Sequence, residues 1–237
     1  MMRTPATLLT LFTLFCLLIP EVSAFQCRRA PDVEVIGLSR RAPVNVQIYL
    51  QARRSTSTWK EVRIVDAETK AAIPCTALTD PLRLRPDKPL TPDRRYGVWL
   101  GEKRLASFKA TSTAEPRATP KLSIGFSPPH HPKPNTPSKQ AQYEGRSAYI
   151  VSEARRDEAP AVFIVSARLW SKKDKGQAPL ILNHTIPYRP KAEFASTKPC
   201  RVTSTPAPNR GRYEVTVTPW WPDGRQGEPV TLKGAIR

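Results

Sequence analysis

Short alternations of apolar and polar residues recur along this chain, separated by prolines. Residues 33–38 (VEVIGL), 44–50 (VNVQIYL) and 59–65 (WKEVRIV) carry large apolar side chains at every second position, the period of a strand with one buried face. Residues 66–70 (DAETK) form a polar turn leading to a short strand at 72–75, and further strands are predicted at 82–84, 96–100 (YGVWL) and 105–110. The last two face each other across Gly101-Glu102-Lys103 as a tight hairpin. Seven short strands in about 85 residues predict a Greek-key β-sandwich. The second half continues in the same manner, with strands predicted at 122–126, 147–152, 162–170, 180–185, 200–203, 213–219 and 230–232. Between the first two of these, residues 127–139 (SPPHHPKPNTPSK) hold five prolines and no apolar period, so they read as a loop or an extended polyproline segment.

One apolar stretch breaks the alternating pattern. Residues 8–19 (LLTLFTLFCLLI) follow Arg3 and end at Pro20, and Val22-Ser23-Ala24 supplies the kind of residues a signal peptidase reads. The run has the length of a secretory signal's apolar region and is too short to span a bilayer. Residues 1–24 are therefore expected to be a cleaved signal peptide, leaving a chain that starts at Phe25, is periplasmic or extracellular, and has no membrane span.

Composition sharpens the all-β expectation. The 26 prolines among 237 residues are about twice the usual share, which forbids long helices, while the aromatic and β-branched runs between them argue against disorder. A polar, proline-containing linker at 114–120 separates residues 25–113 from 121–237, so two tandem sandwiches are expected. The formal charge is +18, and it is spread over both parts: 17 Lys and Arg against 9 Asp and Glu in residues 25–113, and 20 against 10 in residues 114–237. Many of these cations come in pairs, such as Arg40-Arg41, Arg94-Arg95 and Lys172-Lys173. Such doublets suit solvated loops and strand edges, and they also make a surface that attracts acidic envelope polymers or anionic headgroups. Nucleic acid is not an expected partner, because no basic motif interleaved with aromatics occurs.

A local motif narrows the sandwich type. Leu90-Thr-Pro92-Asp-Arg-Arg-Tyr96, followed by alternating Val98 and Leu100, resembles the L-x-P-x-x-x-Y segment of fibronectin type III and bacterial immunoglobulin-like domains. The resemblance spans about residues 31–112 and includes Ala42-Pro43, Leu84-Arg-Pro86 and Phe108-Lys-Ala-Thr-Ser112. It implies that Tyr96 begins the sixth strand and returns its hydroxyl to upstream backbone as a tyrosine corner, and it implies a fold without implying an activity. Tyr213-Glu-Val215-Thr-Val217 echoes Tyr96-Gly-Val98-Trp-Leu100, consistent with a second, diverged sandwich.

Candidate chemistry is sparse. Three cysteines follow the predicted cleavage point; Cys27 and Cys75 share the first part and are expected to form a disulfide in an oxidising compartment, leaving Cys200. His130-His131 in the proline-rich loop is the alternative metal site, for copper. Trp220-Trp221, with Trp170 in the same half, is the candidate recognition surface, since adjacent strand residues face opposite ways and one ring is left to stack on a sugar or seat in a partner pocket. No nucleophile, zinc-protease or phosphate-loop motif occurs, so neither a catalytic residue nor a cofactor is expected. These features together predict a monomeric, non-enzymatic binding or structural module of the cell envelope, with an anionic polymer or another envelope protein as partner. The alternative is a periplasmic copper-handling protein or a hydrolase.

Overall fold

The apolar period predicted from sequence is written into the burial of the strands. In a computed structural model describing residues 32–52, 57–112, 118–131, 144–154, 159–173, 176–198 and 205–237, the strand Val62–Asp66 buries Val62, Ile64 and Asp66 and turns Arg63 to solvent. The predicted signal peptide, Cys27, Cys200, the strand expected at 200–203, and most of the linker and of the proline-rich loop lie outside the described residues.

The first half runs β1 (Val33–Ile36), β2 (Arg41–Pro43), β3 (Ile48–Ala52), a 3-10 turn (Ser57–Glu61), β4 (Val62–Asp66), β5 (Ala72–Ile73), β6 (Cys75–Thr79), β7 (Leu82–Pro86), β8 (Arg95–Leu100) and β9 (Lys103–Thr111). They form a four-stranded sheet in the order β1-β3-β7-β6 and a five-stranded sheet in the order β2-β9-β8-β4-β5. Val33, Ile48, Leu50 and Leu84 from one sheet pack against Ile64, Val98, Phe108 and Ala110 from the other. The second half runs β10 (Leu122–Phe126), β11 (Ala148–Ser152), β12 (Val162–Ser171), β13 (Leu180–Pro187), β14 (Lys191–Ala195), β15 (Gly211–Trp220) and β16 (Val230–Ile236). Here β10-β11-β14 faces β13-β12-β15-β16 across a core that includes Ile150, Phe163, Leu169, Phe194 and Val217. The fold is an all-β arrangement of packed sheets, with no α-helix among the described residues.

Several strands differ from expectation at prolines. The strand predicted at 44–50 begins only at Ile48, because Pro43 ends β2 and a turn closed by Val46 N–H on Pro43 O (3.0 Å) carries the chain to the other sheet. The strand predicted at 72–75 is likewise split by Pro74 into β5 and β6, which belong to different sheets. A proline lacks the N–H that would continue a ladder, so each marks a change of sheet. The segment 59–61 is part of the 3-10 turn, and the strand starts where the apolar alternation does, at Val62.

Tyr96 lies in the first core, 2% exposed, with its ring stacked on Phe108 at 5.7 Å. Its hydroxyl accepts the Thr91 N–H at 3.0 Å, while Leu90 is buried and donates its own N–H to Val44 O at 2.8 Å. Cys75, the one cysteine among the described residues, carries a free thiol there, and the bridge expected with Cys27 lies outside the described residues. Its Sγ donates to Ile73 O at 3.2 Å, and burial pushes the thiol up to about 11, which keeps it protonated and unreactive near neutral pH.

Candidate functional site

The three tryptophans chosen from sequence do not form one surface. Val162 pairs with Trp220 at one end of β12 and β15, and Trp170 pairs with Arg212 at the other. Eight residues of strand separate the two ends, roughly 26 Å. Each end therefore has its own environment.

At the Trp220 end the two halves of the compact unit Pro31–Arg237 meet in a seam. Ile36 and Tyr49, on the outer face of the first half's four-stranded sheet, pack against Ala161, Val162 and Trp220. This contact explains why Ile48-Tyr49-Leu50 in β3 and Val162-Phe163 in β12 are buried on both faces. The Tyr49 hydroxyl donates to Trp221 O at 2.9 Å, and burial pushes its pKa well up. Gln47 donates its N–H to Pro222 O at 2.6 Å, and its Oε1 accepts from Arg83 Nε at 2.6 Å. The Arg83 guanidinium lies over the Trp220 ring, 4.7 Å from its centroid, and Trp221 is 3% exposed. Trp220 and Trp221 are thus not an open recognition surface: the first is covered by Arg83 and the second is buried. Trp170 is half-buried beneath its cross-strand partner Arg212, at 4.6 Å.

Two glycines allow the close approach. Gly37 (φ +67°) and Gly224 (φ +82°) both hold left-handed backbone, and a Cβ would lie 2.2 Å from Ala161 O at the first and 1.8 Å from Gln47 Nε2 at the second.

At the opposite end of β12 and β15 the sheets open into a groove of about 890 Å³. Among the described residues, Arg146, Lys172, Lys173, Arg210 and Arg237 line it with a single side-chain carboxylate, Glu144. Arg146 Nε is buried without a hydrogen-bond partner among the described residues. The walls come from the connections β10–β11, β12–β13 and β14–β15; one reciprocal backbone pair closes the first of these on itself and a second ties it to β14–β15. His130 and Gly145 exchange bonds of 2.7 and 3.1 Å, and Arg146 and Ala207 exchange two of 2.8 Å. His130 and His131 thus belong to the groove's edge. His131 Nδ1 lies 3.5 Å from Glu144 Oε1, a carboxylate that sequence spacing did not place near it. No group of three potential metal ligands occurs among the described residues.

Sequence reading noted the Lys172-Lys173 doublet but missed Arg146 and Arg210. The available signal was their setting: Gly145-Arg146 before β11 and Arg210-Gly211 before β15 put each arginine beside a glycine at the mouth of a strand. No protein-family model and no curated relative matches the chain.

Proposed function

We propose that this protein is an exported, non-enzymatic binding module of the cell envelope, built on sandwiches of the bacterial immunoglobulin-like or fibronectin type III-like kind, that holds anionic polymers in the groove at the end of β12 and β15. The observation that carries this reading is the charge of the lining: among the described residues, five cationic residues face one side-chain carboxylate in a space large enough for a short stretch of polymer. Clustered loops at one end of a sandwich are also where rigid strands best support a variable binding surface. Attraction of this kind is long-range at low salt and screened beyond about 8 Å at physiological ionic strength.

The test is chromatography of the purified protein on an immobilised polyanion. Retention at low salt with elution as salt rises is expected, and Lys172→Ala/Arg210→Ala should elute earlier. Flow-through of the unaltered protein at low ionic strength overturns the proposal.

A further inference from the structure

We infer that the groove takes a carboxylate-bearing polysaccharide, and that Glu144 holds the ligand carboxylate's place until it is displaced. This rests on the anion-binding reading of the groove and adds to it the ligand's chemical class and a built-in competitor. Three side chains, two from separate connections and one from Glu144's own, gather around one oxygen, Asn209 as a hydrogen-bond donor and the other two at ion-pair distance. Asn209 Nδ2 is 3.3 Å, His131 Nδ1 3.5 Å and Lys173 Nζ 3.6 Å from Glu144 Oε1. An amide and an ammonium, joined by an imidazole when it is protonated, are the groups an incoming carboxylate would need.

The backbone behind Glu144 is paired on both sides, while its side chain is half exposed. Gly145 is locked between His130 and Ala207, since a Cβ there would lie 2.5 Å from Ala207 O. The side chains of Glu144, His131 and Lys173 are 50%, 65% and 80% exposed. Ion pairs this exposed contribute little to stability, so exchanging one carboxylate for another is nearly neutral for the fold. Lys172 and Arg210, with no ion pair among the described residues, remain to attract the next charge along the polymer.

The groove crosses strand ends and does not run along a sheet edge. A peptide that binds by adding a strand would find no ladder to extend there, whereas an acidic sugar needs only side-chain donors for its carboxylates and hydroxyls; an acidic peptide that used the same side chains is the outcome that polyglutamate tests.

The experiment is calorimetric titration of short oligogalacturonate into the protein at low salt, with Glu144→Gln, Lys172→Ala/Arg210→Ala and Glu153→Gln as variants. Glu144→Gln keeps an oxygen for Asn209 and removes the competing charge, so about threefold tighter binding is expected. Glu153→Gln makes the same change in net charge at a side chain paired with Lys121 outside the groove, and should leave affinity unchanged. If the unaltered protein binds and the cation variant weakens it while Glu144→Gln is neutral or weaker, or is matched by Glu153→Gln, the competitor role is overturned and the groove reading stands. If polyglutamate binds as tightly as oligogalacturonate, the polysaccharide class is overturned. If neither binds, the anion-binding reading itself is overturned.

Discussion

At each end of strands β12 and β15 a tryptophan lies under an arginine, and the two ends have opposite fates. At the seam, Arg83 comes from the other half of the molecule to cover Trp220, Asp223 is paired with Arg225, and Tyr49 and Gln47 bond across to the Trp221–Pro222 backbone. At the groove, Arg212 covers Trp170 from within the same sheet, and among the described lining residues the cations outnumber the side-chain carboxylates. A cation whose polar groups are satisfied by the chain stabilises the fold, whereas cations left without partners are available to something outside it. The same side-chain pair thus serves structure at one end and leaves chemistry open at the other.

The largest effect is expected from emptying the seam. Tyr49→Ala removes a 1% exposed aromatic ring and its bond to Trp221 O, and should cost about 3–5 kcal/mol, the range for truncating buried aromatics. Urea unfolding followed by tryptophan fluorescence measures this directly. A loss below about 1 kcal/mol would show that the halves hold together by other contacts.

Smaller but sharper is the effect of adding one carbon at the glycines. Gly224→Ala and Gly37→Ala should each cost about 1–2 kcal/mol from left-handed backbone, plus the displacement of Gln47 or Ala161. Gly101→Ala has a similar positive φ (+56°) and nothing within 4 Å of a new Cβ, so it isolates the backbone contribution. If all three variants lose the same stability, the close approach at the seam carries no energy.

Much of this arrangement is legible in the sequence, and the reason for the remainder is physical. The period-2 runs locate most strands because one face of each is buried and the other wet, a purely local property. Lys191–Ala195 escapes notice because the small side chain of Ala192 shares the inner face with Phe194, weakening the alternation. The seam leaves two local traces, the unbroken apolar runs at 48–50 and 161–165, where a strand with one wet face would alternate. Which two runs meet is a long-range fact, and so is the convergence of Glu144, Lys173 and Asn209 from three connections. The tryptophans mislead because strand alternation leaves one of two adjacent rings exposed only where nothing packs on the outer face.

Asp66 provides a third case, a carboxylate fully engaged by its own chain. Its Oδ1 accepts the N–H groups of Glu68 (2.8 Å) and Thr69 (3.1 Å), and Oδ2 accepts from Arg94 (3.2 Å). The Thr69 and Glu68 N–H groups hold its pKa below the usual carboxylate value, with Arg94 adding to the effect. Because the folded pKa is the lower one, this stabilisation is complete above the ordinary value of about 4 and is lost as pH falls through the lowered one. Asp66→Asn should melt a few degrees below the unaltered protein at pH 7, and the two curves should converge on acidification. A constant gap from pH 7 to strongly acid solution would mean that the charge at Asp66 is not what holds the turn.

The smallest effect on stability is expected where the effect on binding is largest. Lys172→Ala and Arg210→Ala each remove a cation with no ion pair among the described residues, so stability should change by less than about 0.5 kcal/mol, as for ordinary surface substitutions. Removing a side chain that repels its neighbours offsets whatever packing its aliphatic stem supplied, and Lys172→Ala is as apt to raise the melting temperature as to lower it. Retention on a polyanion should fall in both variants, whereas Tyr49→Ala, measured where it remains folded, should be retained as the unaltered protein is. Thermal melts and salt elution of the same three variants therefore test the division between the two ends of β12 and β15. A groove variant that loses several kcal/mol, or a seam variant that loses retention while folded, would show that the two ends are not independent and that the groove's cations belong to the architecture.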